Sequence, residues 1–114
     1  HQHLIDPDRF EYAWTTGFPA LQGAFRLAEY RQASEGCGIE GALFMEVDVP
    51  EHQSESEARY FCQLAEEASS GILGVLAACR PENENFEASL DAIAHPKLKG
   101  LRRALHTQPD ELSQ

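Results

Sequence analysis

The sequence predicts an α/β domain built on a parallel sheet, and three observations carry that expectation. Short apolar runs recur over 42–47, 72–79 and 98–105, each bounded by Gly, Pro or acidic residues. Runs of this kind suit strands covered on both faces. Amphipathic helical patterns lie between them, so strand and helix alternate. The runs also share a loose repeat: Gly38-Ile39-Glu40-Gly41-Ala42-Leu43 is echoed by Gly71-Ile72-Leu73-Gly74-Val75-Leu76 and, more weakly, by Leu98-Lys99-Gly100-Leu101. Crossovers of this length form right-handed βαβ units. Their two common settings are an open doubly wound sheet and a (β/α)8 barrel. No G-x-G-x-x-G or G-x-x-x-x-G-K-[ST] loop follows any run, so the phosphate-binding signature of nucleotide folds is lacking.

Taken in order, residues 4–24 read as a long loop with Asp6-Pro7-Asp8, then Phe10, Tyr12 and Trp14, then Gly17, Pro19 and Gly23. Loops of that size often carry function. A helix is expected over 26–35, ending at Gly36. The first strand, 42–47, delivers Glu46 and Asp48 at its end. Ser54 and Glu57 form an S-x-x-E pattern, which predicts a capping box at the next helix start. Ala58, Phe61, Cys62, Ala65 and Ala68 then fall on one apolar stripe. The strand over 72–79 leads to Arg80. The last helix follows Asn83 and buries Phe86, Leu90, Ile93 and Ala94. Pro96 stops it, because the residue before a proline disfavours helical geometry. In the third strand, Leu101 and Leu105 are expected against the helices, with Gly100, Arg102 and Ala104 on the opposite face.

The 114 residues carry 9 Lys and Arg against 19 Asp and Glu, a net charge of −10. Such a field repels phosphate backbones and anionic lipid, so neither nucleic acid nor a membrane is an expected partner. At 42% hydrophobic and 25% charged residues, the composition is that of a folded domain. There is no apolar run of about 18 residues and no visible signal peptide. Cys37, Cys62 and Cys79 form no C-x-x-C pair, which argues against a zinc ribbon or dithiol site. Free thiols fit a cytoplasmic setting. A small-molecule substrate is the expected partner, and a homo-oligomer is left open.

Several residues suit chemistry. In an extended segment His1 and His3 point to one side, so both imidazoles can face a single divalent ion. Two solvated terminal histidines, or a vector-derived stretch, fit the same spacing. Arg102 has the planar fork that grips a carboxylate; a structural ion pair is the alternative. Glu46 and Arg80 end parallel strands, where the ligand crevice of an α/β fold lies. For Glu46 an ion pair with Arg80 or Arg102 is expected ahead of a pocket-facing role. Trp14 suits a lid, a pocket wall or a loop anchor. His52 and His95 are expected in solvent, and His106 follows the third strand without a visible partner.

Read together, His1-Gln2-His3-Leu4-Ile5-Asp6-Pro7, Tyr12-Ala13-Trp14, Gly38-Ile39-Glu40-Gly41 leading to Glu46, Gly71-Ile72-Leu73-Gly74-Val75, Leu98-Lys99-Gly100-Leu101-Arg102-Arg103-Ala104-Leu105 and Gln108-Pro109-Asp110 resemble the amidohydrolase superfamily. The branch resembled is that of barrel-fold metal-dependent hydrolases, which includes sugar-lactone and 2-pyrone-4,6-dicarboxylate lactonases. The resemblance runs over essentially the whole chain. It implies the N-terminal part of a (β/α)8 TIM barrel with parallel strands, incomplete in this chain. Residues 1–114 would then be one partial domain, from the loop after the first barrel strand through the fourth strand; a whole barrel takes about 250 residues.

The same resemblance implies His1 and His3 as ligands of a divalent metal, zinc first among the candidates. It implies Arg102 as the arginine that binds an anionic or lactone-bearing substrate. Glu46 stands where relatives often carry Gln, and Arg80 where many carry an acid; with Trp14 they complete the expected substrate-binding set. The general-base aspartate is implied outside this chain. The implied activity is hydrolysis of a lactone or other cyclic ester of a carboxylated or sugar-derived substrate. A decarboxylase of an unsaturated or aromatic acid on the same fold, and a non-catalytic α/β binding module, are the alternatives.

Overall fold

Three parallel strands, β1 (Ala42–Met45), β2 (Ile72–Ala78) and β3 (Leu98–Arg102), lie side by side in chain order in the computed structural model, which describes residues 1–105. His106 and the Gln108-Pro109-Asp110 segment fall outside the described residues. Helix α1 (Leu27–Ala33) precedes β1, α2 (Ser54–Glu66) joins β1 to β2, and α3 (Phe86–Ile93) joins β2 to β3. The start of the chain extends the sheet at the β1 edge. Gln2 bridges Phe44 in parallel, its N–H donating to Leu43 O at 3.0 Å while Met45 N donates to Gln2 O at 2.8 Å. Four parallel segments therefore succeed one another without reversal among the described residues. That is the progression of a barrel arc; a doubly wound sheet reverses at its switch point.

The one-directional order also decides what the helices cover. Right-handed crossovers that all step the same way place every helix on the same face. Accordingly α3 packs beside α2, with Ala58, Ala77 and Ile93 in one cluster and Arg59 Nε donating to Ala92 O at 3.1 Å. The α2 stripe follows its periodicity through Ala58, Phe61, Cys62 and Ala65, all buried, whereas Ala68 lies exposed in the turn beyond the helix. Phe61 stacks on Phe44 of β1 with ring centroids 3.8 Å apart. Burial of each such ring contributes about 1.5–3 kcal/mol.

Three expectations are corrected. The strands are not covered on both faces: Leu43 and Leu73 remain exposed, Leu73 at 61%, and Leu101 and Leu105 stay partly in solvent instead of packing on helices. The elements are also shorter than their apolar runs, because pairing ends at Met45, Ala78 and Arg102. And Ser54-x-x-Glu57 does not cap α2. The residue at the cap is Gln53, whose side chain makes no capping hydrogen bond and accepts from Glu11 N at 2.8 Å instead, while Glu57 turns inward and is 1% exposed. A carboxylate cap occurs instead at α1, where Glu29 accepts from Arg26 N at 3.0 Å.

The glycine repeat has a geometric meaning. Gly38 and Gly71 hold nearly equal positive φ values of 73° and 71°, a conformation that favours glycine, Gly71 directly before β2 and Gly38 in the segment that leads to β1. Three residues on, a Cβ at Gly41 would collide with the Leu73 side chain, and one at Gly74 with Lys99. Each glycine leaves room for a side chain from the next strand.

The long N-terminal loop is tied down in several places. Ile5 and Phe25 exchange backbone hydrogen bonds at 2.8 Å. Two short 3-10 turns, Ala13–Gly17 and Pro19–Leu21, lie within it. The Tyr12 hydroxyl accepts from Asp6 N at 3.0 Å, and burial pushes the Tyr12 phenol up to about 12. Among the described residues no helix is long and apolar enough to cross a membrane.

Candidate functional site

Because the strands run parallel, their C-terminal ends meet at one edge of the sheet, and a cavity of about 730 Å3 opens there. Its lining includes Glu46 and Asp48 after β1, Arg80 after β2, Arg102 at the end of β3 and Arg103 just beyond it. The cavity thus brings Glu46, Arg80 and Arg102 together, as their strand-end positions predict.

Glu46 is 1% exposed and fully engaged. One carboxylate oxygen accepts from Arg102 Nε at 2.6 Å, the other from Asp48 N at 2.7 Å. Of the two ion-pair partners left open by the sequence, the structure selects Arg102. The pair steps across β2, and the Arg102 carbonyl is itself fixed by Cys79 N at 3.0 Å. Among the described residues no acceptor meets the two Nη groups of Arg102. Arg80 faces Glu51 at 3.6 Å, and Asn83 Nδ2 donates to the same carboxylate at 2.5 Å. Arg103 pairs with Glu82 at 2.6 Å and holds that carboxyl below its usual range.

His1 and His3 sit at the β1 edge and do not line the cavity; Trp14 does not line it either. The two Nε2 atoms approach to 2.9 Å, while His3 Nδ1 lies 3.0 Å from Met45 O. A ring nitrogen that meets a carbonyl carries the proton, which leaves His3 Nε2 with its lone pair in the neutral ring. An imidazole oriented through a backbone carbonyl on its other nitrogen is the arrangement of metal-binding histidines. His3 thus meets this requirement of a metal ligand, and His1 would serve as a second only on giving up the proton that its Nε2 shares with His3 Nε2. Among the described residues no group of three or more His, Cys, Asp and Glu side chains gathers to hold one. Trp14 acts as a loop anchor, its indole N–H donating to Val47 O at 2.9 Å. His95, expected in solvent, instead pairs with Glu66 at 2.6 Å.

One residue near the site escaped the sequence reading. Glu57 Oε2 accepts from the N–H of Val47, the residue after Glu46, at 3.2 Å. Desolvation pushes its carboxyl up to about 8, with the charges of Glu46 and Asp48 adding to the rise against the Val47 hydrogen bond and Arg102. The signal was present in the periodicity, since residues 57, 61 and 65 share one helical stripe.

No family model and no curated protein matches the chain. A solved structure, "Amidohydrolase 2 from Bifidobacterium longum subsp. infantis", resembles 92% of this chain with a TM-score of 0.63 and 27% sequence identity. The likeness supports the amidohydrolase superfamily. The mixed α/β architecture with its parallel three-stranded sheet is consistent with a segment of that barrel-like fold. The chain spans 38% of the length of that amidohydrolase.

Proposed function

We propose that the chain forms part of a metal-dependent hydrolase that opens a lactone or other cyclic ester of a carboxylated or sugar-derived substrate. The observation that supports this reading most is Arg102 at the strand-end cavity. Its Nε is fixed on a buried carboxylate and its Nη groups meet no acceptor among the described residues. That leaves a pre-aimed fork for a substrate carboxylate or lactone oxygen. Arg80, more loosely held by Glu51, supplies a second positive group on the same cavity.

In this reading His1 and His3 hold a divalent ion, with zinc suited to the nitrogen donors. When bound, such an ion supplies Lewis-acid polarisation of the ester carbonyl and lowers the pKa of bound water. Met45 O keeps His3 in the required tautomer, and Arg102 orients the substrate. The general base is an aspartate outside this chain.

Two measurements test the proposal. The protein that carries this chain is given a lactone panel at neutral pH while acid release is followed. Ring opening is expected, whereas carbon dioxide evolution without it would establish the decarboxylase reading. In the second, His1→Ala and His3→Ala are expected to lose bound metal by elemental analysis. Metal content equal to that of the parent would remove both residues from the ligand set.

A further inference from the structure

We propose that Glu57 is a positioning residue: from the buried face of α2 it holds the turn after β1, and so keeps Glu46 engaged with Arg102 at the cavity. Past Met45 the chain leaves the sheet, and its N–H groups need new acceptors. Glu46 N still reaches Leu76 O at 3.0 Å, Asp48 N takes Glu46 Oε2 at 2.7 Å, and between them Val47 N takes Glu57 Oε2 at 3.2 Å. The Val47 carbonyl receives the Trp14 indole at 2.9 Å. Asp48 meanwhile adopts φ 50°, a left-handed conformation that a non-glycine residue resists. The turn is therefore held by its side-chain partners, and Glu57 is the carboxyl among them that comes from a separate element. Without that oxygen the buried Val47 N–H loses its acceptor, one residue away from Glu46.

The charges around Glu57 fix the form in which it works. It faces Glu46 and Asp48 from the β1 end, Arg102 from β3, and Tyr12 from the N-terminal loop. The one cation in that set has its Nε on Glu46. With burial and two acids raising its carboxyl to about 8, Glu57 holds Val47 as a neutral acid at neutral pH. Once ionised, it is a buried carboxylate beside Glu46 and Asp48, and it competes with Glu46 for Arg102.

The sign of the linkage follows. The folded-state pKa exceeds the unfolded one, so the native state binds the extra proton. The stabilisation is complete below the ordinary value of 4.5. It falls by about tenfold in the folding equilibrium per pH unit up to about 8 and is constant beyond.

The inference concerns the site of the proposed hydrolase, but its readout needs no substrate, so its failure is separate from failure of that reading. In the full chain the 15N resonance of Arg102 Nε–H, assigned by its loss in Arg102→Lys, reports the pair directly. It is expected to be ion-paired at about pH 6 and to broaden or vanish by about pH 9, as Glu57 loses its proton. In Glu57→Gln the amide oxygen still accepts from Val47 N but cannot ionise. There the signal should persist to about pH 9, and the thermal midpoint should fall less between the two pH values than in the parent. Glu57→Ala should lose the signal even at the lower pH. A Glu57→Gln profile that tracks the parent throughout, or an intact signal in Glu57→Ala, would overturn the proposal. If the alanine variant does not fold, the glutamine profile decides alone.

Discussion

At the scale of single residues, Glu46 carries the charge balance of the cavity. It is buried, and its side chain depends on Arg102 for a counter-charge. Arg102→Ala is expected to destabilise the fold by about 2 kcal/mol, less than the loss of a fully buried partner because a third of the arginine side chain is solvated. Urea unfolding measures this. The double variant Glu46→Gln/Arg102→Ala should recover part of the loss, since the orphaned charge goes with it. A double variant no more stable than the single one would locate the loss elsewhere. The Glu46–Arg102 pairing was legible in the sequence as one of two alternatives, because both residues end parallel strands. The stripe shared with residues 61 and 65 signalled that Glu57 is buried, but its role was not legible, because its S-x-x-E context completes a local pattern that accounts for a helix start by itself. The tertiary demand of Val47 N–H overrides that pattern, and no local spacing records it.

At the scale of elements, the apolar period of α2 translated directly into a buried stripe, because periodicity reports which face meets the sheet. On the expected face of α3 only Ile93 is buried, Phe86 and Leu90 are half-buried, and Ala94 is exposed beyond the helix end. The element ends were not legible. Strand pairing stops where a neighbour strand stops offering carbonyls, and that depends on register. The Gly-Ile-x-Gly repeat was visible as a repeat, but its purpose lies in the matched positive φ values at Gly38 and Gly71 and in the neighbouring side chains over Gly41 and Gly74. Gly71→Ala is expected to cost about 1–2 kcal/mol through its positive φ, although no atom stands in the way of the new methyl group. Gly23→Ala is the control: it has open space and no positive φ, so it should be neutral or stabilise by up to about 1 kcal/mol. Thermal unfolding of the two variants separates backbone strain from simple loss of glycine. Equal effects would remove the turn geometry as the reason for the repeat.

At the scale of the whole molecule, the direction of strand addition determines what is covered. Alternating βαβ runs announced the parallel sheet, but they could not announce that every helix lands on one face, since that follows from the order in which strands are added. The open face bears Leu43 and Leu73. Leu73→Glu in this chain is expected to change stability by less than about 0.5 kcal/mol and to lower self-association in sedimentation. A loss of several kcal/mol would show that the face is covered in solution.

The Glu46–Arg102 pair joins residues 56 positions apart and steps over the middle strand. It can close only after β1 has docked on β2 and β2 on β3, with the closure entropy of both crossovers already spent. The pair is thus expected to be among the last contacts to form. Changes there act on how fast the native state is lost and leave the speed of folding largely untouched.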